Sequence, residues 1–320
     1  MSIISKDISK AADLLTAEEL VAIPTETVYG LAGNIYSEKA IKCIFETKQR
    51  PFFNPLIVHI PSVEALENIV SYVPEKATQL ADAFWPGPLT LVLKKNSRIP
   101  DLITAGKDTV AVRVPNHPTT LELLEALDFP LAAPSANPFG SISPTTAQHV
   151  DDYFKEKIQM VLDGGPCQRG IESTIIGFEG DEPVIYRLGS TSIEAIEAIV
   201  GPVDIKNKKE IAPDAPGMLD RHYAPSTLTI LTTDISEAIE LHQDKRIGVL
   251  AFQNAHKHDA ITFQIVLSEA NDLSEAASKL YDALHQLDKQ DLDIIIAERC
   301  PDVGLGTSIN DRLQRATVSS

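Results

Sequence analysis

Residues 20–31, Leu20-Val-Ala-Ile-Pro-Thr-Glu-Thr-Val-Tyr-Gly-Leu31, begin as an apolar run and break at a proline into a hydroxyl-rich turn containing a glycine. An apolar run without alternation suits a strand covered on both faces, and the residues after it read as a turn that carries polar side chains. The pattern recurs outward from this stretch. Leu20 to Pro24, Pro55 to Ile60, Leu89 to Lys94, Val110 to Val114, Pro130 to Ala133, Met160 to Leu162, Ser173 to Phe178 and Val184 to Arg187 read as strands. Helical patterns fall between them. Ser37 is an N-cap candidate ahead of a stripe of Ala40, Ile41, Ile44 and Phe45, with Lys48 just past the helix end. Thr119 to Leu127 and Ser192 to Val200 repeat the device, the latter stopped by Gly201-Pro202. The alternation predicts an α/β or α+β domain built on a central sheet.

At 320 residues the chain exceeds the usual span of one core, and a 43% hydrophobic share supports packed interiors. The composition changes from Asp204 to Pro225, where charges, prolines and a Pro-Gly turn suggest a linker. Strand patterns then resume at Leu228 to Leu231, Arg246 to Phe252, Thr262 to Leu267 and Asp293 to Ala297, with a helix over Leu273 to Leu287. The expected division is 1–202, a linker over 203–225, and a smaller α/β domain over 226–320. Three well-separated cysteines, Cys43, Cys167 and Cys300, argue against a disulfide framework or a thiolate zinc site and read as small buried residues. The absence of an apolar run of membrane-spanning length or a leader pattern predicts a soluble, cytoplasmic protein. A net charge of −17 opposes broad docking onto nucleic acid, so any anionic ligand needs a local cluster of cations.

Neither G-x-x-x-x-G-K-[ST] nor G-x-G-x-x-G occurs, so a nucleotide site must be built another way. Thr25 and Thr27, taken singly, read as turn chemistry, and Lys48 and Arg50 as a solvated helix terminus. Arg113 interrupts an apolar strand, where a buried guanidinium needs an anionic partner or several acceptors. No carboxylate stands at strand spacing beside it, which leaves a ligand carboxylate and an internal ion pair both open. His59 ends another apolar strand and by itself reads as a core histidine.

Taken in order, Pro24-Thr-Glu-Thr-Val-Tyr-Gly30, Lys48-x-Arg50, Asn54-Pro-Leu-x-x-His59, Trp85-Pro-Gly-Pro-Leu-Thr90, Val112-Arg-Val-Pro115, Pro134-Ser-Ala-Asn137 and Glu172-Ser-Thr174 resemble the YrdC-like threonylcarbamoyl-adenylate synthases. The stretch Pro216-Gly-Met-x-x-x-His-Tyr-Ala-Pro225, followed by an α/β tail, resembles the long form of that family. The resemblance implies a twisted mixed sheet with flanking helices, plus a Rossmann-like C-terminal domain. It puts L-threonine near Thr27, His59, Arg113, Ala133 and Ser173. It puts ATP near Lys48, Arg50, Asn54, Thr109, Ser135, Asn137, Ser143, Arg187 and Tyr223, with Lys48 and Arg50 as the catalytic pair on the triphosphate.

The implied reaction joins L-threonine, bicarbonate and ATP, with pyrophosphate as leaving group and the product passed to the machinery that modifies tRNA. In-line placement and charge neutralisation matter more there than a strong base. Mg²⁺ is expected with the triphosphate, without a dedicated protein cage. Two rivals remain at this stage: carbamoyl transfer on the same fold, disfavoured by the missing CxxC pairs, and a double-stranded RNA-binding module, disfavoured by net charge. The linker carries Arg221, His222 and Tyr223, ligand-type side chains that suggest a segment folded back over the nucleotide site.

Overall fold

The apolar runs are buried because they form the inner strands of one large sheet, covered by helices and loops. The computed structural model describes residues 3–207, 216 and 223–317. Its first sheet contains β1 (Ile3–Ser5), β2 (Val21–Ile23), β3 (Gly30–Asn34), β4 (Ile57–His59), β5 (Val70–Tyr72) and β6 (Leu89–Lys95). It continues with β7 (Thr109–Arg113), β8 (Leu131–Ala132), β9 (Met160–Leu162), β10 (Thr174–Glu179), β11 (Glu182–Arg187) and β12 (Asp204–Ile205). The order is β1-β9-β2-β3-β8-β4-β7-β6-β10-β11-β12, with β5 attached to β6. Parallel pairs such as β4 with β7 stand beside antiparallel ones such as β2 with β3, so the sheet is mixed.

Seven helices described in this part flank the sheet: α1 (Ile8–Thr16), α2 (Glu38–Lys48), α3 (Glu75–Phe84), α4 (Asp101–Thr104), α5 (Pro118–Glu125), α6 (Ala147–Phe154) and α7 (Ile193–Val200). Ser37 and Ser192 cap α2 and α7 by accepting from the amides of Ala40 and Ala195 at 3.1 and 3.2 Å. The α2 stripe of Ala40, Ile41, Ile44 and Phe45 enters the main core. This helix runs on through Lys48 and closes on Gln49 in the left-handed region. Lys48 is therefore an interior residue, not the solvated one that a helix end suggests.

Strand β3 escaped the sequence reading because Gly-Leu-Ala-Gly-Asn looks like a turn. Its second glycine serves packing instead, since a Cβ on Gly33 would stand 3.1 Å from both Ile44 and Leu20. Short edge strands β1, β5 and β12 and helices α1, α3 and α6 were also unanticipated. Cys167 and Cys300 are buried and Cys43 is partly exposed, all as free thiols. No helix among the described residues is long and apolar enough to cross a membrane.

A second, all-parallel sheet follows: β13 (Thr229–Thr232), β14 (Ile247–Ala251), β15 (Ile261–Val266) and β16 (Ile294–Glu298), in the order β13-β16-β14-β15. It carries α8 (Ile235–Leu241), α9 (Leu273–Asp288) and α10 (Leu305–Ala316). The mixed sheet with flanking helices and the smaller parallel α/β unit are the expected fold class.

Helix α9 lies tightly on the first part of the chain. Gly170 has φ +72°, and a Cβ there would fall 2.4 Å from the Ser278 carbonyl oxygen. On the same helix, His285 Nε2 donates to the Ser143 carbonyl at 3.2 Å, and its ring stacks on His149 of α6 at 3.9 Å. His149 in turn faces Asp282 at 3.3 Å. Burial, reinforced by His149 and opposed by the Ser143 contact, pushes the pKa of His285 down to about 3.

Two outcomes follow from this interface. Gly170→Ala should cost about 1–3 kcal/mol through strain and overpacking, read as a lower thermal midpoint. Below about pH 6.5 the unfolded chain takes up a proton at His285 that the folded chain refuses until about pH 3. Stability is therefore complete above pH ~6.5 and declines as pH falls, by about 1.4 kcal/mol per unit for this group. Urea midpoints measured from about pH 7 to about pH 5 should show the decline, and His285→Gln should lessen it, the rest coming from other buried histidines such as His59.

Candidate active site

Strands β4 and β7 run parallel and pair His59 with Arg113, so both side chains arrive at the same end of the sheet. Next to them the turn after β2 is held by Thr25. Its hydroxyl donates to the Val28 carbonyl at 2.7 Å and accepts from the amides of Thr27 and Val28 at 3.1 and 3.2 Å. Thr25 thus performs the turn chemistry read from the sequence and leaves Thr27 facing Arg113.

The pocket formed here is lined by Thr25, Thr27, Val28, Gly30, Arg50 and Ile57, then by His59, Arg113, Ala133, Pro134 and Ser135, and on the far wall by Glu172, Ser173, Arg187, Pro216 and Tyr223. About 570 Å³ of open space lies among these side chains, solvent at the mouth included. All five residues assigned to threonine, Thr27, His59, Arg113, Ala133 and Ser173, meet in it. Of those assigned to ATP, Arg50, Ser135, Arg187 and Tyr223 do so as well.

Arg113 is held on several sides. Its Nε donates to the Gly87 carbonyl at 3.1 Å, one terminal nitrogen donates to Thr27 Oγ1 at 3.0 Å, and the other pairs with Glu26 at 2.6 Å. The internal ion pair left open by the sequence is therefore present. Glu26 was overlooked because it lies in the β2 turn, far from Arg113 in the chain, although an acidic residue between two buried threonines is itself a signal. The other oxygen of Glu26 accepts from the Asn116 amide at 3.0 Å.

His59 is buried, and its Nδ1 has no hydrogen-bond partner among the described residues. Burial, then the Arg113 charge, push its pKa down to about 3 against a backbone contact at Ile57. A neutral ring with a free nitrogen can hydrogen-bond a ligand without adding charge.

Arg50 and Arg187 line the same pocket. Arg50 donates to the carbonyls of Asn54 and Pro55 at 3.1 and 2.7 Å. Arg187 holds the Ser173 carbonyl at 3.1 and 2.8 Å, Ser173 Oγ at 3.0 Å and the Pro216 carbonyl at 3.4 Å. Burial and then the neighbouring Arg187 bring the pKa of Arg50 down to about 9, which still leaves it charged at neutral pH. Two buried guanidinium groups close enough to repel each other, and held here by neutral oxygens, have the chemistry to take an anion.

Five assigned nucleotide residues do not line this pocket. Lys48 Nζ donates to the carbonyls of Ser135 and Asn137, bracing the turn that carries Ser135 from behind. Burial and then Arg50 hold its pKa well below the usual lysine range. Asn137 is in that same turn, its amide nitrogen on the carbonyls of Pro138 and Ser141. Ser143 stands behind the wall and donates to Glu172 at 2.6 Å. Asn54 is fully buried beside Arg50, and neither side-chain polar atom has a hydrogen-bond partner among the described residues. Thr109 lies at the other end of β7 from Arg113, in a separate depression with Val92, Lys107, Phe178 and Tyr186. It shares its sheet face with Ala111 and Arg113, and an apolar strip of Ile57, Val92, Ala111 and Ile175 connects the two places.

Pro216 and Tyr223 bring the segment between the two sheets into the wall. The Ala224 amide donates to the Gly140 carbonyl at 2.9 Å, and Tyr223 adopts a left-handed φ of 64°. Arg221 and His222 lie outside the described residues.

Known proteins place this arrangement. The family model Sua5/YciO/YrdC, described as "Telomere recombination", matches residues 13–189, and that for the threonylcarbamoyl-AMP synthase C-terminal domain matches residues 191–318. A threonylcarbamoyl-AMP synthase of Pyrococcus abyssi is 41% identical over an alignment covering 96% of this chain and 93% of its own length. One from Bacillus subtilis is also 41% identical, over 97% of this chain and 92% of its own. The crystal structure of P. abyssi Sua5 complexed with L-threonine is similar at a TM-score of 0.93 and 40% identity, covering 99% of this chain and 97% of that one. With motifs, both domain models and near-full-length relatives in agreement, the chain belongs to the Sua5/YrdC family of threonylcarbamoyl-AMP synthases.

Proposed function

We propose that the pocket binds L-threonine on the Arg113 side and the ATP phosphates on the Arg50 and Arg187 side, and joins them with bicarbonate into threonylcarbamoyl-AMP. The observation that carries the reading is that one pocket holds two groups of cations with different partners. One is a guanidinium already half-neutralised by Glu26 beside a neutral histidine, which suits a small zwitterion. The other is a pair of mutually repelling guanidinium groups, which suits a polyanion. Residues 1–202 are taken as the catalytic domain, 203–225 as a linker, and 226–320 as the C-terminal domain.

In this reading the threonine amine takes up carbon dioxide or bicarbonate to give a carbamate, and a carbamate oxygen attacks the α-phosphorus of ATP as pyrophosphate departs. Ser135 and Ser173 supply neutral hydroxyls that orient substrate, and Lys48 acts from behind by fixing the turn that presents Ser135. Thr109, at the far end of the apolar strip, suits contact with the nucleoside end of ATP. Mg²⁺ arrives with ATP as part of the substrate. Glu172, the carboxylate that lines the pocket, is engaged by Arg312 at 2.9 Å, and Glu26 next to it by Arg113 at 2.6 Å. A cytoplasmic location is part of the proposal, supported by the supply of product to tRNA modification, and the −17 charge favours transfer of product over stable tRNA binding.

Purified protein with threonine, bicarbonate, Mg²⁺ and ATP should release pyrophosphate only when threonine and bicarbonate are both present. Release of inorganic phosphate, or indifference to threonine, would reject the reading. Arg113→Ala should weaken threonine binding by about 2–5 kcal/mol in calorimetry, because it removes a desolvated cation. Arg113→Ala combined with Glu26→Gln removes the stranded carboxylate and should keep the threonine defect. Normal threonine affinity in the folded double variant would leave Arg113 as the structural partner of Glu26 alone.

A further inference from the structure

Glu172 is a buried carboxylate in the pocket wall, and most of what holds it comes from the second sheet's helices. Its oxygens accept from Tyr281 Oη of α9 at 3.1 and 2.9 Å, from Arg312 Nε of α10 at 2.9 Å and from Ser143 Oγ at 2.6 Å. Arg312 is fixed in turn by the Leu188 carbonyl and by Asp311 at 2.6 Å. It also lies 4.9 Å over the ring of Tyr223, whose other neighbour is the Tyr281 ring at 5.7 Å.

A second arginine stands within electrostatic reach of the same carboxylate. Burial works to raise the Glu172 pKa, but Arg312 and then Arg187 hold it below the usual carboxylate range. The hydrogen bonds of Arg187 nevertheless go to Ser173 and Pro216 and none to Glu172. One buried carboxylate therefore faces two guanidinium groups, and geometry assigns it to the one outside the pocket.

We propose that Arg312 and Tyr281 are positioning residues for nucleotide binding: by engaging Glu172 they leave the charge of Arg187 available to the ATP phosphates, and they fix the ring of Tyr223 in the pocket wall. Without Arg312, Glu172 keeps two hydroxyl donors but loses its counter-charge. Its nearest remaining cation is then Arg187, which it neutralises, while its own negative charge opposes the incoming triphosphate. The C-terminal domain thus takes part in the electrostatics of the site without touching substrate. The inference rests on the reading of Arg187 as a nucleotide contact.

Steady-state pyrophosphate release tests it in the full chain. Arg312→Gln should raise KM for ATP roughly tenfold or more, as one uncompensated buried charge near a phosphate implies, with little change in KM for threonine. Glu172→Gln combined with Arg312→Gln removes the uncompensated charge and should recover most of the lost ATP affinity, which a merely structural defect would not allow. Tyr281→Phe removes one hydroxyl and preserves packing, so it should shift KM for ATP in the same direction by less; it decides the matter if Arg312→Gln fails to fold. A folded Arg312→Gln protein with normal KM for ATP, or a double variant no better than the single one, would overturn the inference. Arg187→Gln separates the two readings. If it raises KM for ATP while Arg312→Gln does not, only the positioning role falls; if it too leaves KM for ATP unchanged, the nucleotide assignment of Arg187 falls.

Discussion

Keeping largely buried arginines charged around one pocket is the constraint on which this molecule's arrangement depends. A buried guanidinium is stable only where oxygen atoms surround it, and one meant for a ligand must not be fully neutralised by the protein. The three arginines of the pocket meet this demand differently. Arg50 and Arg187 rest largely on backbone carbonyls and the Ser173 hydroxyl, which solvate a cation without cancelling it. Arg113 takes a carboxylate, Glu26, and keeps Thr27 beside it. Partial neutralisation fits a site for a zwitterion and full retention of charge fits one for a polyphosphate.

The sheet topology makes these solutions possible. Parallel pairing of β4 with β7 aligns His59 and Arg113, and β10 lies beside β6 so that Ser173 and Thr90 approach to 2.7 Å. Loops at those strand ends then carry backbone carbonyls toward the cations. Because the strands are covered on both faces, their register is fixed by packing, and the polar groups at their ends inherit that rigidity.

Much of this was legible in the sequence. Apolar runs such as Met160 to Leu162 announce covered strands, and Ser37 and Ser192 announce helix starts because a short hydroxyl side chain is the natural partner of a free helical amide. What stayed hidden depends on partners distant in the chain. Strand β3 looked like a turn because its glycines make room for α2, a reason visible only once α2 is in place. The Arg113 partner was missed since Glu26 is close in space and remote in sequence. Lys48 was assigned to a triphosphate on the strength of its motif, but local pattern does not show which way an ammonium turns, and two carbonyls claim it. Thr109 shares a face with Arg113 by strand alternation, yet alternation says nothing about the distance between two ends of a strand.

The strand order also sets a timetable. β9 is inserted between β1 and β2, and β8 between β3 and β4, so β1 lacks its strand neighbour, and the β2–β3 pair lacks a strand on either side, until residues 131–162 have left the ribosome. Long-range pairing of this kind is slow and leaves apolar edges open while it waits. The far wall of the pocket waits longer still, since Tyr281 and Arg312 follow it by more than a hundred residues. A nascent chain therefore carries most of the pocket-lining side chains well before it carries Tyr281 and Arg312, and the pocket is among the last parts of the molecule to mature.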